Sequence, residues 1–306
     1  MNPVNNRPYK LPPDAIWLIT GCSSGIGRAL ASLIASKPGQ RLIATARNPS
    51  ALSYLPDDNA DILKLPLDVT SPSSVDTAFS AAAEHFGGKD KFHVDVVVNN
   101  AGYSLSGDTE AATEEESHAE IETLFFGTAR VMMKGVGIMR REKEAGARRG
   151  GLIFNVSSLA GLCAFPGHAY YNAGKFAVEG FSESVARELH PDWNINVCIT
   201  EPSGVKTNFE GHSKANIQPH PAYAGDYMPA RKLEKYVRIG KETGIGMLEP
   251  SAIAEALFSI ASRGERVPLR LPLGPTCWKM ARMKFEGLLE EFEAVKGIST
   301  MGRAGQ

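Results

Sequence analysis

Thr20-Gly21-Cys22-Ser23-Ser24-Gly25-Ile26-Gly27 joins a short apolar run, Ala15–Thr20, to a helical pattern over Gly25–Ser36. A strand, a glycine turn and a helix N-terminus in this order form an anion site, because free backbone N–H groups and the positive end of the helix dipole face one point. Glycines also let the backbone approach a pyrophosphate closely. The alternative is an ordinary turn that happens to carry three glycines.

Outward from this turn, strand and helix patterns alternate. Further strands are predicted at Arg41–Ala46, Ile62–Leu67, Val94–Asn99, Leu152–Val156, Ile195–Thr200 and, at an edge of the sheet, Val267–Leu271. Further helices are predicted at Pro72–Phe86, Glu114–Lys143, Tyr170–His190, Ser251–Ser262 and Thr276–Lys296. Strict alternation predicts an α/β fold with a doubly wound parallel sheet.

Residues 14–306 are predicted to form a single domain. Residues 1–13 are rich in Pro and Asn and indicate an irregular N-terminal arm. The helix Thr276–Lys296 is a C-terminal extension, and its apolar face is expected to pack on the core because its opposite face is mixed in charge. That face consists of Cys277, Met280, Ala281, Phe285, Leu288, Leu289, Phe292 and Val295.

Composition excludes several classes of protein. Of the 306 residues, 43% are hydrophobic and 22% are charged, which argues against disorder. The net charge of -1 argues against a nucleic-acid or anionic-membrane partner, and apolar runs such as Val94–Val98 are too short to span a bilayer. The four cysteines are scattered, without a CxxC pair or a Cys/His cluster. We therefore expect no metal and a reducing, cytoplasmic location.

Further motifs follow the glycine turn in a fixed order. They are Asp68 after the third strand, Asn99-Asn100-Ala101-Gly102 after the fourth, Ser157-Ser158 after the fifth, Tyr171-Asn172-Ala173-Gly174-Lys175 in the next helix, and Glu201-Pro202-Ser203-Gly204-Val205-Lys206-Thr207 after the sixth strand. From Thr20 to Thr207, about two-thirds of its length, the chain resembles the short-chain dehydrogenase/reductase superfamily. The resemblance implies a Rossmann-like fold and an oxidoreductase that uses a nicotinamide cofactor.

The resemblance also implies a set of cofactor-binding residues. They are Gly21, Ser23, Ser24, Gly25, Ile26, Gly27, Arg47, Asp68, Val69, Asn100, Ala101, Gly102, Tyr171, Lys175, Val205 and Thr207. An NAD site has a carboxylate at the end of the second strand, but here Ala46 is followed by Arg47. A guanidinium suits a 2′-phosphate, which predicts NADP(H). The alternative is that Arg47 is a solvated loop arginine.

Three residues are candidates for catalysis. Tyr171 and Lys175 are four residues apart and lie on one face of a helix, where the ammonium should lower the pKa of the tyrosine. The phenol would then exchange a proton with an alkoxide or alcohol. Ser158, thirteen residues before Tyr171, would polarise a carbonyl oxygen. Outside this context a Tyr-x-x-x-Lys pair is usually a surface pair and Ser-Ser a cap. Tyr170 and Ser157 are out of register.

One residue departs from the family pattern. Leu124 stands where the family has an asparagine that holds a water beside the lysine, before Phe125-Phe126-Gly127-Thr128. We expect slower proton exchange from this change. Leu124 and Ser203, which replaces a family glycine, are the support for an alternative: an NADP(H)-binding protein of this fold that acts as a sensor, scaffold or shape-catalyst.

The family builds its substrate lid from residues 208–246. Here the lid region holds Phe209, His212, His220, Tyr223, Tyr227, Met228 and Tyr236, and Phe165 is expected to line the same pocket. These residues predict a roomy site for a rigid, mostly apolar carbonyl or alcohol substrate. Alternatively, the aromatic side chains only pin the loop to the body.

The two helices Glu114–Lys143 and Tyr170–His190 pair across a two-fold axis in many members of the family. An apolar surplus on them predicts a homodimer, or a tetramer. The surplus residues are Phe125, Val131, Met132, Val136 and Met139 on the first helix and Phe176, Val178, Phe181 and Val185 on the second. The alternative is that the C-terminal helix covers this surface.

Overall fold

Nine strands occur in the computed structural model, which describes residues 4–88, 91–141, 148–207 and 214–301. They are β1 (Ile16–Ile19), β2 (Arg41–Ala46), β3 (Ile62–Pro66), β4 (Val96–Asn99), β5 (Ser104–Ser106), β6 (Gly151–Val156), β7 (Ile195–Pro202), β8 (Lys214–Asn216) and β9 (Arg270–Leu273). Seven form one parallel sheet in the order β3-β2-β1-β4-β6-β7-β9, and β5 pairs with β8 separately. The predicted Rossmann-like sheet is confirmed.

Helices cover both faces of this sheet. They are α1 (Gly25–Ala35), α2 (Pro72–His85), α3 (Glu114–Ile121), α4 (Gly127–Met139), α5 (Ala169–Glu188), α6 (Pro229–Thr243), α7 (Pro250–Ser262) and α8 (Pro275–Ser299). Apolar residues of α2, α4 and α5 form the core on one face, and those of α1 and α7 form it on the other. Strand order reverses between β1 and β4, which opens a crevice at their carboxyl ends.

The helix predicted over Glu114–Lys143 is present from Glu114 to Met139, but it is not α-helical throughout. A π-helical turn, Glu122–Phe126, separates α3 from α4, and Glu142 and Lys143 lie outside the described residues. Gly127, the first residue after this turn, packs against the segment that follows β3. A Cβ added to Gly127 would lie 2.6 Å from Val69 Cγ2. A π-helical turn inserts one extra residue into the helix. The 3.6-residue apolar period does not reveal this insertion, because the apolar stripe resumes after the turn.

The prediction that the C-terminal helix packs on the core is wrong beyond the first two turns of the helix. In α8, Cys277 and Ala281 are buried, whereas Phe285 is 48% exposed, Leu289 65% and Phe292 67%. The apolar face continues along the helix past the point where the body of the protein can cover it. No helix in the described parts of the chain is long and apolar enough to cross a membrane.

The apolar surplus used to predict a dimer is largely absent. Val131, Met132, Val136, Met139, Val178 and Val185 are buried within the chain's own core. Phe125 packs edge-on against Phe181, with ring centroids 5.7 Å apart. Of the residues in this surplus, Phe176 remains exposed, so the homodimer stays a prediction with a smaller apolar surface than the sequence pattern indicated.

The N-terminal arm is irregular but packed. The amide of Asn5, which has φ of 51°, donates to the backbone oxygens of Val197 at 2.7 Å and Val267 at 3.1 Å. Its Oδ1 accepts from Val197 N at 3.0 Å. The buried Asn5 side chain therefore ties the arm to β7 and to the segment before β9.

Replacing this amide should destabilise the fold. Asn5→Ala leaves buried backbone groups unpaired, and we expect a loss of about 2–3 kcal/mol in the free energy of unfolding. Urea denaturation measures it, with Asn6→Ala as the control because Asn6 is exposed. Equal stability of the two variants would contradict the role given to Asn5.

Candidate active site

A cavity of about 740 Å³ lies at the carboxyl ends of the parallel strands. It is lined by Ser158, Tyr171 and Lys175, the three residues predicted to be catalytic. It is also lined by every residue predicted to bind the cofactor except Gly27. The structure therefore brings the two predicted sets together around one space.

The glycine turn is shaped by close backbone contacts. Gly21 has φ of +71°, and a Cβ there would lie 2.9 Å from Ala101 Cα. A Cβ on Gly27 would overlap the Gly21 carbonyl oxygen and lie 2.5 Å from Asn100 Nδ2, so Gly27 packs α1 against the turn without reaching the cavity. Ser24 caps α1 without a side-chain hydrogen bond. The first N–H groups of α1 and this cradle fit a pyrophosphate.

Thr20 and Asn100 fix the turn to the end of β4. Thr20 Oγ1 accepts from the backbone N–H groups of Asn100 at 2.9 Å and Ala101 at 3.0 Å. In return, Asn100 Nδ2 donates to the carbonyl oxygens of Thr20 at 2.9 Å and Gly21 at 3.1 Å. The floor of the cavity is therefore held by reciprocal hydrogen bonds.

Arg47 and Asp68 lie on the side of the cavity formed by β2 and β3. Arg47 is exposed, and within the described part of the chain it has no ion pair or hydrogen bond. Asp68 Oδ1 accepts from the backbone N–H and the hydroxyl of Thr70, at 2.9 and 2.8 Å. The guanidinium is thus available to an anion, and the carboxylate is oriented by its own loop.

Lys175 is 7% exposed and points into the same space. Its ammonium donates to Val156 O at 2.7 Å and lies 5.8 Å from the centroid of the Tyr171 ring. Burial lowers the pKa of Lys175 to about 8, although the carboxylates of Glu120 and Glu179 act in the opposite direction. A buried ammonium beside a phenol favours the phenolate form.

The two serines after β6 have separate surroundings. Ser158 is half-buried, and its Oγ accepts from Ala160 N at 3.1 Å. Ser157 is buried, and its Oγ donates to Glu179 Oε1 at 2.6 Å. The hydroxyl proton of Ser158 is therefore free to face the cavity, whereas Ser157 is held by a carboxylate.

Leu124 lies in the π-helical turn and lines the cavity next to Lys175. A Cβ on Gly102 would be 2.8 Å from Leu124 Cδ2, and a Cβ on Gly174 would be 2.9 Å from Leu124 Cδ1. The leucine therefore fills the space between these two glycines. It supplies no polar atom to the lysine.

Two residues of the site escaped the sequence analysis. Glu120 is fully buried, and burial raises its pKa to about 7. Tyr103 lines the cavity, and burial together with the Glu120 carboxylate raises its pKa to about 12. The position of Glu120 could have indicated its burial, because it stands four residues before Leu124 on the apolar stripe of the helix.

The predicted lid is only partly as expected. Of its aromatic residues, Tyr236 lines the cavity, and Phe209 and His212 lie outside the described residues. Tyr223 donates from its hydroxyl to Glu110 at 2.9 Å, which agrees with a pinning role. The apolar lining comes instead from residues whose pattern gave no signal: Leu159, Leu233, Val237, Ile245 and Met247, beside the expected Phe165.

Comparisons with known proteins identify the family of the chain. The family model for short chain dehydrogenase matches residues 15–218. The chain belongs to this family. Oxidoreductase calM of Penicillium decumbens is 63% identical over 301 residues, covering 98% of this chain and 97% of calM. A 3-ketodihydrosphingosine reductase of Bacteroides thetaiotaomicron is 34% identical over 262 residues, covering 85% and 88%.

A solved structure is also similar to this short-chain dehydrogenase. The short-chain dehydrogenase of Streptomyces avermitilis is 31% identical, with a TM-score of 0.78 over 93% of this chain and 97% of that one. The chain is therefore an oxidoreductase of a family that uses NAD(H) or NADP(H) and acts on small molecules.

A buried carboxylate cluster supports the floor of the active site. Arg270 Nη1 donates to Glu179 Oε2 at 2.6 Å and to Glu201 Oε1 at 2.8 Å, so one guanidinium bridges two buried acids. Burial, with the charge of Glu179, raises the pKa of Glu201 from 4.5 to about 7, against the effect of Arg270. The cluster joins α5, β7 and β9 directly beneath the cavity.

This cluster predicts a pH dependence of stability. Because the folded-state pKa of Glu201 is the higher one, its protonation stabilises the fold below about pH 4.5 and that contribution is lost as the pH rises through about 7. The free energy of unfolding falls between about pH 4 and about pH 8, and Glu201→Gln should make this fall smaller by on the order of 2–3 kcal/mol. Urea denaturation at the two pH values measures it. The exposed Glu255→Gln is the control. An unchanged pH dependence in Glu201→Gln would refute this assignment.

Proposed function

We propose that the protein transfers a hydride between NADP(H) and a mostly apolar ketone, aldehyde or secondary alcohol. The observation that carries the proposal is the convergence of Ser158, Tyr171 and Lys175 on a cavity that also contains the glycine turn. The turn and the N-terminus of α1 would hold the pyrophosphate, and Lys175 would contact the nicotinamide ribose.

Each of the three residues has a distinct part in the reaction. When bound, the cofactor supplies or accepts the hydride. Ser158 donates a hydrogen bond to the carbonyl oxygen and stabilises the charge that develops there. Tyr171 gives its phenolic proton to the alkoxide during reduction and removes the proton from the alcohol during oxidation. Lys175 stabilises the phenolate through its positive charge.

The preference for NADP(H) rests on Arg47. The residue lies at the end of β2, on the cavity lining, with its guanidinium uncommitted among the described residues. Ala46, which precedes it, offers no carboxylate for a ribose hydroxyl. A 2′-phosphate would receive charge-assisted hydrogen bonds from this guanidinium.

The substrate class rests on the opposite wall of the cavity. Leu159 and Phe165 face it from the loop after β6, Leu233 and Val237 face it from α6, and Met247 faces it from the segment after α6. Such a wall favours an extended apolar molecule with one carbonyl group. A similar protein from Bacteroides thetaiotaomicron is named a 3-ketodihydrosphingosine reductase, which supports a ketone as the substrate.

The second candidate is a cofactor-binding protein of the same family without redox activity, favoured by Leu124 beside Lys175. NADPH absorbance, followed with a panel of lipophilic ketones, separates the two functions. Consumption of NADPH supports the oxidoreductase. Tight NADPH binding without turnover of any ketone, and without oxidation of the matching alcohols, supports the second candidate.

Removing the Tyr171 hydroxyl should abolish turnover and spare binding. We expect Tyr171→Phe to lower kcat by at least about 10²-fold, because general acid catalysis is lost, while the Kd of NADPH changes little. Ketone reduction and NADPH fluorescence measure the two quantities. Tyr170→Phe, one residue out of register, should keep its activity. Substantial turnover by Tyr171→Phe would exclude this tyrosine as the acid.

Reversing the charge at position 47 should reverse the choice of cofactor. Arg47→Asp replaces a phosphate ligand with a ribose acceptor that repels phosphate, and we expect a change of on the order of 1–3 kcal/mol in favour of NADH. The ratio of kcat/KM for NADPH and NADH measures it. Lys10→Asp makes the same change in charge away from the cavity and should leave the ratio unaltered. Equal use of both cofactors by the unmodified protein would contradict the prediction.

A further inference from the structure

The C-terminal helix α8 extends away from the body of the protein with apolar side chains that the described chain does not cover. Ala281 is its last buried residue, and the helix continues from there to Ser299, a distance of about 27 Å at 1.5 Å per residue. Along this part Phe285, Leu289 and Phe292 are exposed. A row of large apolar side chains in water is unfavourable and ordinarily marks a binding surface.

The exposed side chains on one side of α8 form a narrow stripe. They follow one another at intervals of four and three residues: Trp278, Arg282, Phe285, Leu289, Phe292 and Lys296. We call these six residues the α8 stripe. An interval that averages 3.5 residues keeps a narrow row of side chains facing one partner helix, whereas packing on a globular core takes a broader apolar face. Cys277 and Ala281, which pack on the body, are not part of the stripe.

The order of residues along the stripe favours an antiparallel partner. In a parallel pair of identical helices, Arg282 and Lys296 would each lie beside their own copy, and like charges repel. In an antiparallel pair with its two-fold axis level with Gly287, Arg282 faces Phe292 of the second copy. In the same pair Lys296 faces Trp278 of the second copy. Each cation then lies over an aromatic ring, which is an attractive contact.

The same register completes the remainder of the contact. Phe285 faces Leu289 of the second copy next to the two-fold axis, so the centre of the contact is apolar. Beside the stripe, Lys279 faces Glu293 of the second copy, and the two-fold axis forms this ion pair twice. Lys279 has no ion pair with the described residues of its own chain. The contact therefore has an apolar centre and a charged, complementary edge.

A lipid surface suits α8 less well than a second copy does. The helix carries equal numbers of basic and acidic residues: Lys279, Arg282, Lys284 and Lys296 against Glu286, Glu290, Glu291 and Glu293. Helices that bind anionic lipid surfaces are rich in Lys and Arg on the polar face. In α8 two cations also lie within the stripe itself, where they would have to enter the lipid.

We propose that the α8 stripe is a docking surface for the α8 stripe of a second copy, with the two helices antiparallel. The proposal concerns assembly and is independent of the cofactor and substrate proposed above. It places the dimer contact on a different surface from the helices Glu114–Lys143 and Tyr170–His190, whose apolar side chains are mostly buried in the core of their own chain.

Sedimentation equilibrium of the full chain at micromolar concentration tests the surface. We expect the mass of two chains. Phe292→Asp places a charge in the contact twice, and we expect the Kd of the dimer to rise at least about 100-fold. Met283→Asp is the matched control, because Met283 is also exposed but lies on the other side of α8. A single-chain mass for the unmodified protein, or an unaltered dimer in Phe292→Asp, would overturn the proposal.

Exchanged charges test the antiparallel register. Lys279→Glu and Glu293→Lys each place like charges opposite each other twice, and we expect each to raise the Kd of the dimer about tenfold. An equimolar mixture of the two variants restores both ion pairs, so its Kd should return close to that of the unmodified protein. Glu291→Lys changes the charge on the other side of the helix and should keep the original Kd. A mixture that associates no more tightly than the separate variants would refute the antiparallel pairing.

Vesicles test the alternative occupant. We expect the unmodified protein to stay in the supernatant when vesicles of phosphatidylcholine, with or without phosphatidylserine, are sedimented. Binding to either kind of vesicle that is lost in Phe292→Asp and kept in Met283→Asp would assign the α8 stripe to a lipid surface and overturn the proposal.

Discussion

The close approach of the glycine turn to the end of β4 is the constraint on which the site depends. Strand order reverses at this point, so no crossover helix covers the crevice between β1 and β4. Thr20 and Asn100 bridge it through reciprocal hydrogen bonds, and Gly27 lets α1 descend onto the turn without a Cβ in the way. The N-terminus of α1 therefore faces the same cavity as the carboxyl ends of β4 and β6.

That geometry makes a buried lysine tolerable. Lys175 would lose its hydration in an ordinary core, but at the strand ends it donates to the Val156 carbonyl, lies beside the Tyr171 ring and is stabilised by the charges of Glu120 and Glu179. Its lowered pKa shows that burial still outweighs these partners. The lysine consequently holds its proton loosely, and the acidity of the site depends on the charges that surround it.

The sequence predicted the strands and the motifs at their ends well, since apolar β-branched runs and glycine turns are local signals. It could not predict the π-helical turn Glu122–Phe126, because the apolar stripe of the helix continues both before and after this turn. The β5–β8 pair was missed because three-residue strands carry no period. Burial of Glu120 was missed for a related reason: an acid on a helix is ordinarily solvated, and this one is buried where α3 packs against α5 and β5.

The two halves of the cavity are built differently, and under the proposed function this separates cofactor binding from substrate choice. The cofactor half consists of strand ends and tight turns fixed by the sheet. The lid helix α6 has no buried residue, and it is fastened by an ion pair between Arg231 and the buried Asp108, which also accepts from His220 N at 3.0 Å. A wall held by a few polar contacts can change its apolar side chains with little effect on the core. Under the proposed function, substrate preference can therefore vary in this region while Tyr171 and Lys175, which we propose transfer protons, stay in place on α5.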